Sequence, residues 1–158
     1  MSRRVLDLDR YIPAALTQLG NKWARGSSQI YLTRFGIGIN EWRVLSLLAI
    51  ESETTANRIC AVIGMDKAAV GRSLEVLKKG GYASFKSNNK DGRSKLVAPT
   101  KSGLALHDKI IKIAFKREKL LLKNFSEAEI ETLIALLNRM RTNIVQLQEH
   151  DNEALDSD

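Results

Sequence analysis

The sequence predicts a mainly α-helical protein with one small β wing, and three observations lead there. Apolar residues recur at helical spacing through most of the 158-residue chain. Polar caps and glycine stops cut that pattern into six segments. One pair of extended stretches, Tyr82 to Lys86 and Lys95 to Ala98, flanks a polar, Gly-containing loop.

The elements follow in order. Leu8, Ile12, Leu16, Leu19, Trp23, Ile30 and Tyr31 trace one face of a long first helix. Pro13 lacks an amide donor and is tolerated only in the first turn, so the helix starts near residue 10 or 11. Gly36 and Gly38 break the pattern. Asn40 is then an N-cap for a second helix, Glu41 to about Ile50, with Trp42, Val44, Leu45, Leu47 and Leu48 mostly buried. Thr55 caps a short third helix that turns Ile59, Val62 and Ile63 inward and stops at Gly64. Asp66 caps a fourth, in which Val70, Leu74 and Leu77 fall at i, i+4 and i+7 and leave Lys67, Arg72, Glu75, Lys78 and Lys79 facing out. Gly80-Gly81 ends it. The tight Gly64-Met65 connection makes the third and fourth helices a helix-turn-helix.

After the basic wing, Thr100 caps a fifth helix to about Lys123, with Leu104, Ile110, Ile113, Ala114, Leu120 and Leu121 as its apolar material. Ser126-Glu127-Ala128-Glu129 matches a capping box opening a sixth. In that helix Ile130, Leu133, Leu137, Met140, Ile144 and Leu147 recur at alternating steps of three and four, a heptad-like seam that wants a partner helix. The partner is either another helix of the same chain or a second copy. The long outer helices carry more apolar face than one small domain can cover, which points to a homodimer. The chain thus reads as one domain over 1–158: a helical dimerisation region at 8–35 and 101–148, a winged helix-turn-helix lobe at 40–100, and an acidic, solvated tail at 149–158.

Charge narrows the function. The chain carries +7 overall, and residues 66 to 101 hold nine basic side chains against three acidic ones. Such a concentration recruits polyanions by counterion release. With Cys60 as the only cysteine, no internal disulfide can form. No leader or long apolar run is evident, so the expected setting is cytoplasmic, without a membrane partner.

Several motifs together resemble the MarR (multiple antibiotic resistance regulator) family of winged helix-turn-helix transcription factors. They are Asn40-Glu41-Trp42-Arg43-Val44-Leu45, Met65-Asp66-Lys67 with Arg72, Asp91-Gly92-Arg93-Ser94 followed by Lys95-Leu96-Val97, and Thr100-Lys101-Ser102-Gly103. The resemblance runs from the first helix to about residue 148. It implies an obligate homodimer whose first, fifth and sixth helices interlock, two lobes on a pseudo-palindromic operator, repression as the usual outcome, and a small-molecule or redox signal that releases DNA. Where many members carry hydroxyl residues early in the reading helix, this chain has Ala68, Ala69 and Gly71. Apolar contact of Ala68 or Ala69 with thymine methyls takes their place.

The candidate DNA-contacting residues are Lys67, Ala68, Ala69, Arg72 and Ser73 on the fourth helix and Lys90, Asp91, Arg93, Ser94 and Lys95 in the wing. Arg72 offers a two-donor fork for guanine, with a phosphate contact or simple solvation as the alternative. Arg93 is suited to the narrow, electronegative minor groove. Asp91 either orients its guanidinium, as the resemblance implies, or makes an Asp-Gly turn. Lys86, Lys90 and Lys95 supply phosphate contacts.

An effector pocket is expected among the first, second and fifth helices, with Trp23, Arg25, Ser27, Ser28 and Tyr31 on the first and Trp42 and Arg43 on the second. Aromatic walls with cationic and hydroxyl groups suit a small aromatic carboxylate or phenol. Against this, the tryptophans serve equally as core, and Arg25 or Arg43 as partners of an acidic neighbour such as Glu41.

Two other readings remain: a winged-helix module that binds protein, and a redox regulator sensing through Cys60. An enzyme is disfavoured. The sequence has no phosphate-binding glycine loop, no Gly-x-Ser-x-Gly elbow and no His-Glu-x-x-His pattern, and its two histidines stand far apart without metal-ligand spacing. No cofactor or metal is expected.

Overall fold

Proline and glycine set the first boundaries. Pro13 occupies the first turn of α1 (Ile12–Phe35), and Gly36 ends it in the left-handed region at φ 72°. The computed structural model describes residues 5–87 and 95–155. After α1 come α2 (Ile39–Glu51), β1 (Thr54–Thr55), α3 (Ala56–Ile63), α4 (Lys67–Lys79), β2 (Ala83–Ser87), β3 (Lys95–Pro99), α5 (Lys101–Leu121) and α6 (Glu127–Leu155). They form two units, one ending at Ile113 and one beginning at Ala114.

The first unit holds the core. Val44, Leu45 and Leu48 of α2, Ile59 of α3, Val70 and Leu77 of α4, Val97 of β3 and Ile110 of α5 are all buried, joined by Tyr31 of α1 and Ile37. Each such aliphatic side chain contributes about 1.5–3 kcal/mol on leaving water. The expected inward faces of α2 and α4 are those observed. Val62 is the exception in α3: it is 44% exposed, because in so short a helix only Ile59 and half-buried Ile63 point at the core.

Helix starts follow side-chain chemistry. The Thr55 hydroxyl accepts from Arg58 N at 3.3 Å and the Asp66 carboxylate from Ala69 N at 2.7 Å, both as expected. The second helix differs. Its N-cap is Gly38, not Asn40, because Glu41 at the third helical position reaches back and accepts from the Gly38 N–H at 2.8 Å.

The wing is three-stranded. β3 is central in the order β1-β3-β2 and antiparallel to both neighbours, with Thr54 opposite Val97 on one side and Phe85 opposite Val97 on the other. β1 has only two residues, too few for alternation to announce it in sequence. The expected hairpin loop at 88–94 lies outside the described residues.

In the second unit, the end of α5 is followed by Asn124 at φ 71°, one of the few side chains that tolerates that conformation. Helix α5 therefore stops at Leu121, slightly before the expected Lys123. Ser126 and Glu129 form the expected capping box: Ser126 N donates to Glu129 Oε2 at 2.8 Å and Glu129 N to Ser126 Oγ at 3.3 Å. These bonds hold the Glu129 carboxyl below its ordinary pKa, the one from the Ser126 backbone most of all. Helix α6 then continues through Leu155. The expected tail from 149 is thus helical through Leu155, in a stretch that contains no Gly or Pro. Leu133, Leu137, Ile144 and Leu147 of the seam are exposed.

Candidate nucleic-acid interface

Helix α4 has one face for the protein and one for solvent. Val70, Leu74 and Leu77 are buried against the core, while Lys67, Ala68, Gly71, Arg72, Glu75, Lys78 and Lys79 are exposed and Ala69 is half-buried. Among the described residues Arg72 has no hydrogen-bond or ion-pair partner, so its five donors face outward unsatisfied by protein. Ser73 behaves otherwise. It is 1% exposed and its hydroxyl donates to Glu41 Oε1 at 2.8 Å. The expectation that Ser73 touches DNA is therefore corrected: one position past Arg72, the helix has rotated the side chain into the lobe.

The sheet brings more cations to the same region. A groove of about 310 Å³ is lined by Thr55, Asn57, Lys67, Phe85 and Lys95 among others, so the start of α4 and the start of β3 present their lysines together. Lys78 places its ammonium 5.4 Å from the centre of the Phe85 ring, a cation-π contact that holds a long side chain. Lys86, expected to contact phosphate, is exposed and ion-paired with Glu53 from the turn after α2. Nothing in sequence spacing announced that pair. Lys90, Asp91, Arg93 and Ser94 lie outside the described residues.

The same turn is anchored by Glu51. Its Oε1 accepts from both Nε and Nη2 of Arg58, at 3.1 and 2.9 Å. Hydrogen bonding from the Thr54 side chain, then from Arg58, holds the Glu51 carboxyl below its ordinary value of 4.5. The end of α2 and the start of α3 are thereby fastened together on either side of β1.

Behind the lobe, the structure gathers part of the expected pocket lining. Tyr31 packs edge-on to Trp42 with ring centres 6.0 Å apart, and Trp42 stacks on His107 of α5 at 5.3 Å and 23°. His107, which sequence reasoning set aside, also contacts Asp108 at 3.1 Å. Ser27 and Tyr31 are buried, Trp23, Ser28, Trp42 and Arg43 half-buried, and Arg25 exposed. Glu41 is taken up by Gly38 and Ser73, not by either arginine. Cys60 is half-buried against the core. Among the described residues no cluster of three or more His, Cys, Asp or Glu could hold a metal, and no helix is long and apolar enough to cross a membrane.

A helix-turn-helix with a basic outer face, flanked by a three-stranded wing, defines a winged helix-turn-helix protein of the kind that grips duplex DNA. Comparison with known proteins makes this specific. Residues 35–94 match the profile described as "MarR family". A crystal structure of a MarR/EmrR family transcriptional regulator from Acinetobacter sp. ADP1 is 35% identical, with TM-score 0.83, over 89% of this chain and 99% of that one. YdgJ, an HTH-type transcriptional regulator of Bacillus subtilis strain 168, is 31% identical over 113 residues, 72% of this chain and 69% of the relative. A single-site mutant of MarR from E. coli, crystallised with operator DNA, shares the fold at 22% identity and TM-score 0.75, over 87% and 99% of the two chains. The chain belongs to the MarR family of winged helix-turn-helix regulators. It is a DNA-binding transcriptional regulator and not an enzyme.

Proposed function

We propose that the protein is a homodimeric repressor that binds a pseudo-palindromic operator and is released by a small aromatic acid or phenol. The observation that carries the reading is the two-sided character of α4. Three aliphatic anchors fix the helix, and its opposite face presents Lys67 and an unpaired Arg72 around the small residues Ala68 and Gly71. That surface fits the major groove, with Arg72 forking onto a guanine and Ala68 or Ala69 against thymine methyls. Lys67 and Lys95 neutralise phosphate along their shared groove. In the wing, Lys90 and Ser94 contact backbone, and Arg93, oriented by Asp91, enters the minor groove.

Dimerisation is supported by the apolar side chains left exposed on each unit. Ile12, Leu16 and Leu19 of α1 are uncovered, and so are Leu133, Leu137, Ile144 and Leu147 of α6. A second copy covers both sets. In this reading the effector binds beside Trp23, Ser28, Tyr31 and Trp42, with Arg25 or Arg43 as the carboxylate partner.

Selection of bound duplexes from a random pool, followed by challenge of the complex with a panel of small aromatic acids, tests the whole reading. The expected result is a palindrome with half-sites about one helical turn apart, released by a subset of the acids. A non-palindromic preference would overturn the dimer reading, and a complex indifferent to every acid the effector class.

A further inference from the structure

Helix α4 is fastened to the start of α2 through a single carboxylate. Glu41 Oε2 accepts from Gly38 N–H and Oε1 from the Ser73 hydroxyl, each at 2.8 Å. Ser73 lies on the buried side of α4, and the bond joins positions 32 apart in sequence.

The carboxylate is also confined. A Cβ on Gly38 would come within 2.8 Å of Glu41 Oε2 and 3.2 Å of Ser28 Oγ, so the glycine permits the close approach of α1, α2 and the acid.

Apolar burial is non-directional. Val70, Leu74 and Leu77 hold α4 against the core without alone fixing its roll about its own axis. A charge-assisted hydrogen bond fixes a point. Ser73 is next in sequence to Arg72, so the bond that sets the orientation of one residue sets where the other presents its guanidinium. Base readout demands such placement to within about 0.5 Å.

We propose that Glu41 is a positioning residue for DNA reading: the Gly38–Glu41–Ser73 bridge sets the roll of α4 and thereby the register of Arg72 on the operator. The inference rests on the reading of α4 as the groove helix.

The test uses the full-length protein, the duplex selected above and a random-sequence duplex of equal length, with thermal unfolding measured in parallel. Ser73→Ala removes the tie and spares the α2 cap. It is expected to lose roughly tenfold in affinity for the selected duplex with random-duplex binding held near wild type, and to melt a few degrees lower because Glu41 Oε1 loses its donor.

Glu41→Gln is the conservative rescue. Its amide oxygen accepts from Gly38 and its NH2 donates to Ser73 Oγ, whose proton turns to a carbonyl one turn back. It is expected to keep wild-type discrimination.

Full discrimination in Ser73→Ala overturns the positioning role alone. So does parallel weakening on both duplexes, which marks a purely structural bond. A wild-type protein that fails to distinguish the duplexes overturns the reading of α4, and this inference with it.

Discussion

Gly103 lies so close to Tyr82 that a Cβ on the glycine would sit 2.1 Å from the tyrosine carbonyl oxygen. The same oxygen accepts from Thr100 N at 3.0 Å, while the Thr100 hydroxyl donates to Gly81 O at 2.6 Å and accepts from Gly103 N at 3.0 Å. The end of α4 and the start of α5 are thereby joined through backbone, and backbone cannot move aside as a side chain can. Gly103→Ala is expected to cost about 1–3 kcal/mol or more, read as a lower denaturant midpoint at unchanged slope. Wild-type stability would mean that α5 shifts freely against the wing.

Leu77 is fully buried beneath α4. Leu77→Ala leaves a cavity under α4 and is expected to cost about 2–5 kcal/mol of folding stability. Urea unfolding checks it, and a loss below this range would mean that the lobe collapses into the space.

Arg72 and Lys67 are expected to divide the work of α4. Arg72→Ala should cost about 1–3 kcal/mol at the cognate duplex and relax base preference there. Lys67→Ala should weaken all duplexes alike and lower the salt slope by roughly one. Fluorescence anisotropy titrations at several salt concentrations separate the two, and equal loss of Arg72→Ala on random DNA would reassign it to phosphate.

Acid stability should depend on Glu51 and Glu129. Both carboxyls titrate below their ordinary value in the folded protein, Glu51 through Thr54 and Arg58 and Glu129 through Ser126. Between the lowered and ordinary values the unfolded chain binds more protons, so their stabilisation is complete above about 4.5 and is lost as pH falls through the lowered values. In Glu51→Gln/Glu129→Gln the fall in melting temperature between neutral pH and pH 3 should be smaller than in wild type. An identical fall in both proteins would mean that neither pair contributes.

Much of this architecture was readable because its boundaries are written in single residues. Thr55, Asp66, Thr100 and Ser126 each supply an oxygen to an otherwise unpaired amide, and such local chemistry is visible in a sequence window. The spacing of Val70, Leu74 and Leu77 likewise exposed the outer face of α4. Long-range pairings were not readable. Glu41 with Ser73, Glu53 with Lys86 and Trp42 with His107 join different elements, and no periodicity connects them. Ser73 was misassigned for that reason: as a polar residue beside Arg72 it resembles a contact residue, and only its distant acid explains its burial. The N-cap of α2 was misplaced similarly, since glycine advertises no capping oxygen and Glu41 supplies the chemistry from within the helix.

Gly71 stands on the outer face of α4 with nothing within 4 Å of where a Cβ would be. An alanine there would gain about 0.5–1 kcal/mol of helix stability, and its methyl group would stand in open space. Position 71 is therefore open to rewriting. Changes there leave the buried side of α4 untouched, so if α4 enters the groove as proposed, this one notch is a point at which selection or design could retarget the regulator to a new set of promoters.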